Sequence, residues 1–294
     1  MPDVQGTTQT IWGWPVMVYL FLAGAGAGAY LTAWWGERGK TSPVLVAMGR
    51  WLATPLVAVG TALLVFDLGA GRMHPLRILG LYTHPESIMT LGTWILSIFL
   101  ILSALDGYGY LVGLGRPRWL PPLTAIFAVG VALYTGVLLG IIQAIPFWNS
   151  ALLPVLFVVS ACSTGMAATF LGGLLVSREV WKDVESFQGL HLGLVVTEAV
   201  LLALFLYFAA NGPEAARLSV ELLVRGPFAA AFWLAVVGAG LVLPILFQLL
   251  TRVGSLSPVL RQPFWLALES VLVLVGGFYL RFLVVAGGVP QKLL

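Results

Sequence analysis

The polar side chains that could do chemistry in this chain are few, and they form two groups. Tyr19, Asp67, His74, His84, Tyr134 and Gln143 lie in the first half, and Glu198, Glu269 and Arg281 in the second. The first group offers hydroxyls, imidazoles, an amide and a carboxylate, which together can both donate and accept hydrogen bonds. Around an apolar cavity, such a set suits a small hydrophobic ligand with polar ends. A quinone head-group has that form: flat, with two carbonyls that need donors when oxidised and acceptors when reduced. Asp67 is a candidate relay for the accompanying protons. The second group places two acids and an arginine inside apolar segments, where such residues face the interior, paired or along a water-filled path. Glu198, Glu269 and Arg281 are candidates for a proton path and, equally, for a charge network that locks helices together. Arg281 lies about 18 Å along the helix from Glu269, so its partner is sought elsewhere, Asp67 among the possibilities.

Other chemistries fit these residues poorly. His74 and His84 share one connection and His191 begins a later segment, so no histidine pair is set to clamp a haem between facing helices. A third or fourth strong ligand for zinc is missing as well. Cys162 is the single cysteine, which excludes a disulfide framework and an all-cysteine cluster within the chain.

The elements that must carry these residues are membrane helices. Hydrophobic residues make up 60% of the chain and charged residues 9%, far below the ~25% charged typical of a soluble domain. Apolar runs long enough to cross a bilayer fall near 14–35, 44–68, 86–112, 121–144, 150–176, 190–210, 226–250 and 264–288. The expected fold is therefore all-α, with about eight transmembrane helices in two consecutive four-helix bundles, residues 1–146 and 147–294. The first run is too long for a signal-peptide core and has no basic residues before it, so it is expected to stay in the mature protein. The formal net charge of +3 is small and scattered between apolar runs, which marks topology rather than a nucleic-acid surface. One set of connections carries Arg38, Lys40, Arg50, Arg116, Arg118, Arg178, Lys182, Arg252 and Arg261; the other carries Arg72, Arg77, Arg217, Arg225 and Lys292. The richer set is placed in the cytoplasm, with both termini outside.

That topology gathers the first group at one depth. Tyr19 lies early in span one and Asp67 late in span two. His74 and His84 flank the following connection, and Gln143 closes span four, with Tyr134 about 15 Å in from the end of that helix. Span one also has a distinctive start: Trp12 and Trp14 as interfacial anchors, Pro15 in the first turn, then alternating Gly and Ala from Gly24 to Ala29. The small face lets a second helix or a flat ligand approach the backbone.

The order of these pieces resembles the membrane subunit of polysulfide reductase and its NrfD-like relatives. The resemblance rests on Trp12-Gly-Trp14 with Tyr19 and the Gly-Ala run, Asp67-Leu-Gly, His84-Pro-Glu-Ser with Trp94, Tyr134, Pro146-Phe-Trp148-Asn149-Ser150 and Gly276-Gly-Phe-Tyr-Leu-Arg281. It implies eight helices in two bundles and no haem or metal held by this chain. It also implies an iron–sulfur partner subunit, which contacts a catalytic subunit with a molybdopterin. Menaquinol or ubiquinol would bind near the docked cluster and exchange two electrons and two protons. By position, Tyr134 corresponds to the deep tyrosine of the quinone pocket. Tyr19 stands where the polysulfide reductase type has a histidine, and Val16 where it has an asparagine. Asp67 and Arg281 match residues of longer members that are candidates for a proton route.

The expectation is thus a quinone-interacting subunit of a respiratory oxidoreductase in a bacterial or archaeal cytoplasmic membrane. Tyr19, Tyr134, His74, His84 and Gln143 position the head-group, and Asp67, Glu198, Glu269 and Arg281 handle protons. Trp12, Trp14 and the 72–85 connection lie near the partner. A transporter or channel using Glu198, Glu269 and Arg281, or a passive anchor of a catalytic complex, are the alternatives.

Overall fold

Proline sets the start of several helices here. Pro15, Pro43, Pro121 and Pro263 lie in the first turns of four of them, where a missing N–H costs no intrahelical bond. The structure, a computed structural model, describes residues 12–39, 41–67, 80–84, 86–177, 180–252 and 262–290. The described chain is helical: α1 (Trp14–Arg38), α2 (Pro43–Asp67), α3 (Ile88–Leu111), α4 (Leu120–Gly140), α5 (Leu152–Val176), α6 (Trp181–Ala210), α7 (Glu214–Val224), α8 (Ala229–Leu250) and α9 (Pro263–Ala286). All but α7 have the length and apolarity to cross a membrane. The eight spans agree with the expected ones, with shifted ends. α6 starts nine residues early, because Trp181–Gly189 extends it with a more polar opening stretch. α4 stops at Gly140, and residues 141–151 form turns before α5. Residues Phe232–Val242 of α8 are wound as a π-helix, a wider coil with N–H bonds to the carbonyl five residues back.

α1 runs through the middle. It packs most extensively on α2, next on α5, and also on α4. The Gly-Ala face permits this. A Cβ on Gly28 would overlap the carbonyl of Ala161 in α5, and one on Gly26 would lie 2.9 Å from the carbonyl of Ala53 in α2. Gly165 of α5 meets the backbone of Gly28 in return. α5 in turn packs on α4, α6 and α9, and one apolar core runs from Val16 and Tyr19 through Phe157 to Leu280 and Val285.

The end of the molecule holding the close of α1 and the start of α2 carries a ring of four charges. Asp106 accepts hydrogen bonds from Tyr30 Oη (2.7 Å), Arg50 Nε (2.8 Å) and Arg116 Nη1 (2.7 Å). Glu37 accepts from the other arms of the same two arginines. Both guanidiniums sit over the Tyr110 ring, at 4.5 and 4.9 Å. Arg50 and Arg116, expected to be loop charges, thus tie α1, α2, α3 and the α3–α4 connection together, and Arg50 and Asp106 are buried.

Candidate functional site

At the opposite end, α1, α2, α3 and α4 surround a cavity of about 360 Å³, within the size range of small-molecule sites. α1 and the segment just before it contribute Trp12 and Val16. Thr61, Leu64, Val65 and Asp67 come from α2, and Met89, Thr93, Leu96 and Ser97 from α3. Tyr134 and Leu138 come from α4, and Leu81 and Tyr82 from the turn before α3. Thr93 and Ser97 are four residues apart, so helical periodicity turns both to one side of α3. Tyr82 Oη and Ser97 Oγ share a hydrogen bond of 2.7 Å, and the Tyr82 ring meets Trp94 edge-on at 5.4 Å.

Tyr134 is held by an absence. Its ring lies against the bare backbone of Gly92 in α3, where a Cβ would fall inside the ring, on Cζ, Cε2 and the hydroxyl. With α4 ending at Gly140, Tyr134 is six residues, about 9 Å, from the helix end rather than the 15 Å expected. Thr61 Oγ1 is buried without a hydrogen-bond partner among the described residues, a group left available for a ligand or an ordered water.

The expected residues divide. Tyr134 and Asp67 line the cavity, and Asp67 sits at its rim as the exposed last residue of α2. Tyr19 does not line it: the side chain is fully buried behind it, within electrostatic range of Tyr134, and its hydroxyl has no hydrogen-bond partner among the described residues. His84 is exposed and shares a hydrogen bond with Thr83 Oγ1 at 2.9 Å. Gln143 is exposed in the turns after α4. Neither is part of the cavity wall, although Leu81 and Tyr82, just before His84, are. His74 lies outside the described residues. Tyr82, Ser97, Thr93 and Thr61 are wall residues that the sequence reading passed over. The i, i+4 pair Thr93 and Ser97 in an apolar span was the signal available.

The second half holds two buried polar clusters on one face of α6. Glu198 accepts from Ser163 Oγ at 2.7 Å and is attracted to Arg281. Arg281 is fully buried. It donates to Ser160 Oγ (3.0 Å) and to the carbonyls of Gly277 (2.9 Å) and Phe157 (3.4 Å), and its Nη2 lies 2.8 Å from where a Cβ on Gly24 of α1 would stand. Its partners are therefore in α5 and α9, not Asp67. Two turns earlier on α6, His191 Nδ1 lies 2.8 Å from Gln248 Nε2 and 3.3 Å from Glu269 Oε1, and Gln248 also donates to Glu269. Glu198 and Glu269 thus have separate hydrogen-bond partners, while His191 lies within electrostatic range of both, and both acids are buried. A gap of about 10 Å³ beside Glu198, lined by Gly240, Gly276 and Gly277, is close to the volume one water needs.

A larger groove of about 620 Å³ lies at the Arg50 end, between α2 and α5. Its wall of Val44, Met48, Leu52, Leu175 and similar residues offers little besides the Trp51 indole for hydrogen bonding. The smaller cavity, with its hydroxyls and carboxylate, is the site equipped for a polar-ended ligand.

Residues 3–291 match the family described as polysulphide reductase, NrfD. This chain belongs to that family. It is 32% identical over 312 residues to a polysulfide reductase chain of Wolinella succinogenes, covering 97% of this chain and 96% of that protein. It is 26% identical over 297 residues to the NrfD protein of Escherichia coli, covering 90% and 92%. A shorter match, 30% identical over 146 residues, joins it to a selenate reductase subunit of Mesobacillus selenatarsenatis, over 45% of this chain and 34% of that protein. The NrfD family assignment and the eight spans make it a multi-pass membrane protein. In this member of the NrfD family, the Gly-Ala run is where α1 meets α2 and α5, and Tyr134 is seated on Gly92.

Proposed function

We propose that this chain is the quinone-interacting membrane subunit of a respiratory oxidoreductase, passing electrons between the quinone pool and an iron–sulfur partner. The observation that carries the reading is the cavity among α1–α4, apolar in its walls and supplied with hydroxyls from Tyr134, Tyr82, Ser97, Thr61 and Thr93. A hydroxyl donates to a quinone carbonyl and accepts from a quinol O–H, so the same wall serves both redox states. Polysulfide and selenate reductases among the relatives support an assembly in which the terminal chemistry sits on a molybdopterin subunit and reaches this chain through iron–sulfur clusters.

Oxidising one quinol releases two electrons to the partner and two protons. A quinolate left in apolar surroundings would be strongly disfavoured, so the protons must leave with the electrons. Tyr134 orients the head-group from the inner side, and Asp67 at the exposed rim takes protons to water. Reduction runs the same steps in reverse. In this reading residues 1–146 form the quinone-binding bundle. Residues 147–294 carry the Glu269–Gln248–His191 and Glu198–Ser163–Arg281 clusters as a second proton-handling region. The rim of the cavity and both termini face the outer side of a bacterial or archaeal cytoplasmic membrane, where the partner docks over Trp12, Trp14 and the connection before α3.

Purification under mild detergent tests the reading. The chain is expected to retain an iron–sulfur protein and to yield menaquinone or ubiquinone on solvent extraction, and added quinol is expected to reduce the retained clusters. A chain that purifies alone and binds no quinone would contradict it.

A further inference from the structure

One wall of the cavity is an indole, and a second indole from the other half of the chain backs it. Trp12 lines the cavity and stacks on Trp148, with centroids 5.5 Å apart and planes within 20° of parallel. Trp148 lies in the turns between α4 and α5, yet it is 1% exposed. Two features fix it. Its Nε1–H donates to the carbonyl of Val284 at 2.7 Å, in the last turn of α9, where carbonyls lack intrahelical partners. The N–H of Gly288, four residues on, is directed to Val285 instead. Gly288 also leaves the ring its space, since a Cβ there would stand 2.7 Å from Trp148 Cζ2. The next residue, Val289, donates its N–H to Ser219 Oγ of α7 at 3.2 Å. A chain of direct contacts therefore runs from α7 and the end of α9, through Trp148, to the cavity wall.

We infer that Trp148 is a positioning residue for quinone binding: it sets the plane of Trp12, against which the flat head-group stacks. The inference rests on the reading of the cavity as the quinone site. Aromatic pairs favour defined offset-stacked or edge-on arrangements, and an indole backed by another fixed indole presents one such face. The Nε1–H bond is what fixes Trp148 itself. Phenylalanine at 148 keeps a ring but leaves the Val284 carbonyl unpaired and the ring free to turn. Trp148 is outside the cavity lining, so its effect on a ligand must pass through Trp12.

The test is a binding titration of the membrane-reconstituted protein with a short-chain 1,4-naphthoquinone, with thermal midpoints recorded in its absence. Trp148→Phe is expected to weaken binding about two- to tenfold, bounded by the worth of one buried hydrogen bond. In a Trp12→Ala background the same change is expected to add no further loss, which separates action through Trp12 from general loosening. Gly288→Ala, whose Cβ would press on the indole, is a second variant expected to weaken binding similarly should Trp148→Phe fail to fold. Unchanged affinity in the folded variant, or a loss that adds fully to that of Trp12→Ala, would overturn the inference. Absence of saturable binding by the unaltered protein would instead overturn the quinone reading itself.

Discussion

Replacing Gly92 with alanine tests the site at its tightest point. The added Cβ lands inside the Tyr134 ring, and non-bonded carbons need ~3.5 Å. The ring must therefore retreat on the order of 1–2 Å. α3 and α4 are packed helices, so the phenol is the element that yields, and its hydroxyl leaves the cavity. Losing the hydroxyl alone, as in Tyr134→Phe, removes one hydrogen bond of roughly 0.5–1.5 kcal/mol, about two- to tenfold in affinity. Gly92→Ala also pushes the ring off its place, and a misplacement of about 1 Å in a reacting complex can cost ~100-fold. The expected order is therefore a modest loss for Tyr134→Phe and a larger one for Gly92→Ala, read as quinone affinity and quinol-dependent reduction of the partner. Gly189→Ala, whose Cβ meets nothing within 4 Å, is the control and is expected to leave both unchanged. Wild-type affinity and turnover in a folded Gly92→Ala protein would refute the assignment of Tyr134 to the site.

Asp106→Asn removes the charge that faces buried Arg50. With Glu37 still paired to both arginines, the cost is expected on the order of 3 kcal/mol, the low end for breaking a buried pair. It should appear as a lower thermal midpoint in detergent, and an unchanged midpoint would contradict the clamp. Glu198→Gln keeps an acceptor for Ser163 but removes the exchangeable carboxyl; it is expected to reduce coupled proton movement, measured in vesicles, more than electron transfer. Equal losses would indicate a structural role. With Cys162 replaced, His84→Cys is expected to react with an impermeant thiol reagent in intact cells, and labelling only after cell opening would reverse the proposed orientation.

The spans were legible because 20-residue apolar runs have few other uses. Several ends were not. The early start of α6 adds polar residues that hydropathy assigns to a loop, and α7 is too short and polar to register as a span. The π-turns of α8 leave the composition unchanged, and only Gly238 and Gly240 hint at unusual packing there. Tyr134, which lines the cavity, was legible from its depth in span four and from the family resemblance. Gly92, which seats it, has no side chain to read. Asp106 was passed over inside an apolar run, because its partners Arg50 and Arg116 looked like topology charges. His84 and Gln143 were expected at the cavity from depth alone, and depth does not say which way a connection turns. Arg281 was rightly placed inside, but its partners Ser160, Gly277 and Phe157 include backbone carbonyls, which no sequence pattern announces.

The central claim is that a quinone occupies the cavity among α1–α4. A photoreactive quinone, cross-linked in the membrane-embedded complex and mapped by peptide mass spectrometry, tests it most directly. Labelling is expected within residues 12–16, 61–67, 81–97 or 134–138, abolished by excess unreactive quinone. Competable labelling confined to the apolar groove of Val44, Trp51 and Leu175, or to residues 147–294, would contradict it.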